Sequence, residues 1–148
     1  MRIFYVYTIN EIYKDMYYDN SYRLYKILEG IYYQRDYSKI SSYMQYKQVV
    51  SGINKMLCNG YITKNHRLAY EYGYDNNCHY IRKKDEHTKM IISNIYIKII
   101  SDLNFPCFFN DLYSYEKNIF ICDFDNKDYF WLDKVMKKNR QNDLIIVK

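Results

Sequence analysis

The sequence predicts an α+β fold, an N-terminal strand and helices packed on a mostly antiparallel sheet, and three observations carry that reading. Residues 3–9 form an unbroken β-branched and aromatic run, the composition of a strand buried on at least one face. Leu24, Ile27, Leu28 and Ile31 recur at helical spacing while Arg23, Lys26 and Glu29 point away, which is an amphipathic helix. Residues 119–124 and 129–132 are two aromatic and β-branched runs around Asp125-Asn126-Lys127-Asp128, a hairpin with a polar turn. With 148 residues and no linker, repeat or low-complexity stretch, the chain reads as one domain, 1–148. Helices dominate its first half and strands its second.

Along the chain, Asn10 is placed to cap a short helix over residues 11–18, ending near Asp19-Asn20. Asn20 or Ser21 caps the amphipathic helix, whose last turn Gly30 weakens. From Ser38 a further helical run places Ile40, Tyr43, Met44, Val50, Ile53 and Leu57 on one side, with Asn59-Gly60 as its stop. Residues 70–74 alternate in polarity, Asp75-Asn76-Asn77 is turn chemistry, and residues 78–84 and 88–93 pair as strands around Lys84-Asp85-Glu86. The run 94–103 fits strand or helix, and a cap at Asn94 favours helix. Pro106 opens a short segment with Cys107, Phe108 and Phe109, and a basic helix over about residues 133–141 follows the hairpin.

Composition narrows the function. Hydrophobic residues make up 49% of the chain, which excludes disorder. Aromatic residues reach 20%, with 21 Tyr against 7 Phe; with the many Ile, Lys and Asn this mirrors an AT-rich genome. A phenol nevertheless suits half-buried positions and interfaces, and a domain of this size cannot bury every ring. The net charge of +5 is mild, and acidic residues accompany both basic runs, Arg82 to Lys84 and Lys134 to Arg140. They read as solvated faces rather than a nucleic-acid stripe. No Cys-x-x-Cys pair, signal peptide or membrane-spanning apolar stretch occurs, so free thiols and a cytoplasmic location are expected, with Cys107 and Cys122 as core fillers.

Catalytic motifs are absent. His79 follows Cys78, and in a strand the two face opposite ways; His79 and His87 can approach across a hairpin, but no third ligand accompanies them. Asp123, Asp125 and Asp128 lack the Gly and Glu of a calcium loop. The expectation is therefore a non-enzymatic protein with no metal, cofactor or small-molecule substrate. Aromatic surface remains. On the first helix Tyr13 and Tyr17 share one face, and Ile12 and Met16 an adjacent one. One pair packs inward and the other faces out, and tyrosine is the better candidate for the outward pair. The competing reading is a small basic RNA- or DNA-binding protein that uses exposed tyrosines; an enzyme with His79 in an acidic pocket ranks third.

The opening Phe4-Tyr5-Val6-Tyr7-Thr8-Ile9, then Ile12-Tyr13, Met16-Tyr17-Tyr18 and Leu24-Tyr25-Lys26-Ile27-Leu28, resemble the start of the sporulation inhibitor of replication (SirA) family. The closing stretch from Cys122 to Leu132, an Asp-Phe turn leading to aromatic-x-Trp-Leu, resembles that family's last hairpin. The resemblance implies a protein that binds the N-terminal domain of the replication initiator DnaA during sporulation and blocks its assembly, without itself touching nucleic acid or membrane. It also implies partner contacts at Tyr13 and Tyr17 on the early helix. On a later helix it implies Gln48 and, where the family has an aromatic contact, Ser51.

Overall fold

The computed structural model describes residues 1–34 and 40–138. Seven strands form one antiparallel sheet in the order β2-β3-β4-β5-β1-β6-β7. They are β1 (Arg2–Thr8), β2 (Tyr72–Asp75), β3 (Cys78–Lys83), β4 (Glu86–Ile92), β5 (Ile97–Ser101), β6 (Ile119–Asp123) and β7 (Asp128–Trp131). The helices are α1 (Glu11–Tyr17), α2 (Ser21–Gln34), α3 (Ile40–Val49), α4 (Lys55–His66) and α5 (Phe108–Tyr115), with a last helix, α6, over 132–138.

β1 lies between β5 and β6 and is buried on both faces, because alternate side chains enter two different cores. Phe4 and Val6 join Ile97, Ile99, Ile119 and Ile121 beneath α4 and α5. Tyr5, Tyr7 and Ile9 join Phe120, Cys122 and Trp131 beneath α2 and α3. The second core is a mosaic of rings. Tyr25 stacks on Tyr129 at 4.6 Å, Tyr32 on Phe124 at 4.4 Å, and Tyr5 contacts Tyr32 and Tyr96 at 5.0 and 5.3 Å. Their apolar edges pack while hydroxyls find partners, as when Tyr46 donates to the carbonyl of Ile95 at 3.0 Å.

The predicted first strand, short helix, amphipathic helix and closing hairpin all form. Four expectations change. Residues 97–101 are a strand, not a helix: β5 closes the gap between β4 and β1, pairing Ile97 with both Val6 and Ile92. A partner on each side outweighs the local cap at Asn94. The single helix expected from Ser38 is broken, because Val50 leaves it to bridge Ile9; Ser38 itself lies outside the described residues. The break restarts at Asn54, whose side chain accepts from the Leu57 N–H at 3.1 Å. Asn59-Gly60 does not stop α4, which runs on to His66. Asn59 is buried there, and its amide is held by His79 and Asn77. Gly30 likewise sits inside α2, which continues to Gln34. The basic helix begins as expected but is described only to residue 138.

Candidate partner-binding site

The first helix is short, and a seven-residue helix needs help to hold its shape. Both its ends are gripped from elsewhere. At the start, Asn10 occupies the N-cap position but makes no cap hydrogen bond. Its side chain turns to α3 instead: Nδ2 donates to the carbonyls of Lys47 (3.1 Å) and Gln48 (2.7 Å), and Oδ1 accepts from the Ser51 hydroxyl (2.5 Å). Backbone bonds from Asn10 N–H to the Val49 carbonyl (2.9 Å) and from Ser51 N–H to the Thr8 carbonyl (2.8 Å) complete the clip. The last carbonyls of α3, unpaired within their own helix, are thereby satisfied.

At the other end, the Trp131 indole N–H donates to the carbonyl of Tyr17 at 3.3 Å, and the Lys134 ammonium donates to that of Tyr18. The Tyr18 hydroxyl donates to Asp133 Oδ2 at 3.1 Å. Burial, first, and then this bond push the Tyr18 phenol up to about 12, so it stays a donor throughout the physiological range. The Lys134 ammonium also lies 4.2 Å from the centre of the Tyr18 ring.

Between these anchors the outward face of α1 differs from expectation. Ile12 and Met16 are the exposed pair, at 71% and 59%. Tyr13 and Tyr17 are half-buried against the aromatic core, their rings 5.9 Å apart. The reason is geometric: Tyr18 packs on Trp131 of β7 and under Lys134 of α6, and Lys14 lies on the side of Tyr113, Asp133 and Lys137, so the helix turns its Tyr13–Tyr17 side to the core's edge and its Ile12–Met16 side outward. Gln48 is exposed in the last turn of α3, with Met44 one turn earlier and 56% exposed. Ser51 is half-buried and its hydroxyl is engaged by Asn10. Of the four residues implied by resemblance, Gln48 and Ser51 lie at the end of α3 that Asn10 ties to the start of α1, while Tyr13 and Tyr17 lie further along α1, Tyr17 at its opposite end beside Trp131. The sequence offers Ile12 and Met16 as one of two stripes on α1 and favours the tyrosines as the outward one; Met44, placed there on one side with Ile40 and Tyr43, is exposed.

Other candidates do not converge. His79 and His87 stand on opposite sheet faces, since the register sets His79 against Met90 and His87 against Arg82. His79 is fully buried; its Nε2–H donates to Asn59 Oδ1 at 2.7 Å, and its Nδ1 accepts from the Tyr72 hydroxyl at 2.6 Å. Burial, aided by His66, lowers it to about 4, which keeps it neutral. Asp123 is buried and receives Arg2 Nε (2.9 Å) and both nitrogens of Asn126, an anchor for β1 against the hairpin. Among the described residues no three His, Cys, Asp or Glu side chains are grouped to hold a metal ion. No described helix is long and apolar enough to cross a membrane.

A family model described as "Sporulation inhibitor of replication protein SirA" matches residues 2–136 of the chain. No curated protein matches it.

Proposed function

The chain belongs to the sporulation inhibitor of replication (SirA) family, and from that premise we propose that it acts without catalysis, by binding the N-terminal domain of the initiator DnaA. The observation that carries this reading is the double anchoring of α1, by Asn10 at its start and by Trp131 and Lys134 at its end. A short helix held at both ends presents its side chains with little left to order on binding, so less of the interaction is lost to entropy. Ile12, Met16 and Met44, flanked by Tyr13, Tyr17 and Gln48, supply apolar and aromatic anchors of the kind that dominate small interfaces.

In this reading Tyr13 and Tyr17 offer the partner one edge of each ring, while the other edge rests on the core. Ser51 acts through Asn10, positioning Gln48, rather than as a contact in its own right. Titration calorimetry with the isolated initiator domain tests the proposal. Binding is expected in the wild type, and loss of about 2 kcal/mol or more in Tyr13→Ala or Tyr17→Ala with the circular dichroism unchanged. No heat at micromolar concentrations with a folded protein would sink it.

A further inference from the structure

The three helices on the aromatic side of the sheet cover β1, β6 and β7 and stop there. On the same side, β2 to β5 carry a second surface that belongs to neither core. The register arranges it in rows: Asp75, Cys78, Ile91 and Lys98 across one, and Gly73, Tyr80, Lys89 and Ile100 across the next. Arg82 and His87 lie opposite each other in the row beyond. Arg82 and Lys89 are exposed, and Tyr80 and Lys98 half-buried. A shallow depression of about 500 Å³ runs along this face.

Three features make the surface more than solvated sheet. Among the described residues, Arg82, Lys89 and Lys98 take part in no ion pair; the acids nearby are Glu71, beside Arg82, and Asp75, both at the β2 edge of the face, and Asp102, which pairs with His87. Tyr80 lies down over the neighbouring strand: a Cβ on Gly73 would stand 2.0 Å from its Cε2, so the glycine is what lets the ring rest there. The Arg82 guanidinium sits 5.4 Å from the centre of that ring. Lys89 stands opposite the recumbent ring on β4, and Lys98 is two strands away with its ammonium 5.9 Å from the centre of the Tyr5 ring. A ring and a line of cations on an open antiparallel sheet match the two demands of a single strand, a plane for a base and charges for phosphates. A duplex, with its bases already stacked, has no use for the ring.

We propose that the open face of β2–β5 binds single-stranded DNA, with Tyr80 stacking on a base and Arg82, Lys89 and Lys98 contacting phosphates. The choice of DNA rests on the family's described role in inhibiting replication, and it reverses the expectation from sequence that the chain does not touch nucleic acid. This contact is separate from the α1–α3 surface, so the chain can hold a strand and a protein partner together.

Fluorescence anisotropy with a labelled oligothymidylate of about 20 nucleotides tests the assignment. Micromolar binding is expected at about 50 mM salt, falling with log[salt] at a slope of roughly −2 for three phosphate contacts. Lys89→Glu/Lys98→Glu should weaken it at least about tenfold, and Tyr80→Ala at least about fivefold. Lys64→Glu/Lys138→Glu changes net charge equally but lies elsewhere, and should stay within about twofold. The oligonucleotide should also protect Cys78, half-buried on this face, from iodoacetamide. No binding at low salt overturns the proposal, as does equal weakening by the control pair. So do tighter binding to oligouridylate and binding of the initiator domain that requires Lys89 and Lys98. A folded Tyr13→Ala protein that keeps DNA binding supports the assignment whatever the initiator domain does; loss of DNA binding in it counts against this face.

Discussion

Asn10 shows how a single side chain can serve two helices. In sequence it is a cap; in the structure it gives up the cap bond to join α3 to α1 through Lys47, Gln48 and Ser51. Asn10→Ala leaves two carbonyls and a hydroxyl without their partner, so a loss of about 1–3 kcal/mol in urea unfolding is expected, and a weaker initiator complex with it. His79 acts through pH. Its folded value, about 4, lies below its ordinary 6.5. Between those values the unfolded chain binds a proton that the native one refuses. Stability therefore rises with pH across this window, and acid removes up to about 3 kcal/mol as pH falls from 6.5 to 4. In His79→Gln that part of the slope should vanish, whatever the variant's absolute stability, and urea midpoints taken between pH 4 and 7 read the difference. The cysteines differ among themselves. Burial pushes Cys58 up to about 11, and burial with nearby Glu86 pushes Cys107 up to about 12. Alkylation of the native protein at about pH 8 should therefore mark Cys78 first; equal labelling of Cys107 would contradict the packing described.

At the scale of elements, local signals were trustworthy where one face met one core. α2 shows this: Leu24, Leu28 and Ile31 are buried as their spacing requires. They misled where distant strands imposed their own demand. The segment 97–101 carries a helix cap and helix-compatible spacing, yet two neighbouring strands take its backbone hydrogen bonds. Asn59-Gly60 looks like a stop until His79, twenty residues on, occupies the asparagine amide. α1 was found at its right place, but its rotation depends on Trp131 and Lys134, more than a hundred residues away. Trp131→Phe removes one of those grips while keeping most of the ring. The expected result is a folded protein that binds the initiator domain more weakly, through a less ordered α1, with faster amide exchange in residues 11–18 than in α2. Unchanged exchange there would show that the indole bond does not order the helix.

For the whole molecule, tyrosine abundance is where genome drift and physics meet. Many rings settle on the aromatic side of the sheet, buried or half-buried, with hydroxyls bonded as in Tyr5 to Tyr32 and Tyr25 to Glu29. They serve there as core material and need no partner. The α+β class, the antiparallel character, the closing hairpin and the family were all legible in the sequence, because alternation, helical spacing and turn residues act over a few positions and survive in any tertiary setting. Only the tertiary structure decided which side of α1 faces out, that Ser51 is tied to Asn10, and that Arg82, Lys89 and Lys98 gather on one open face. Those outcomes depend on register and on contacts across the whole chain, and residues far apart in sequence carry no local mark of the neighbour they will meet.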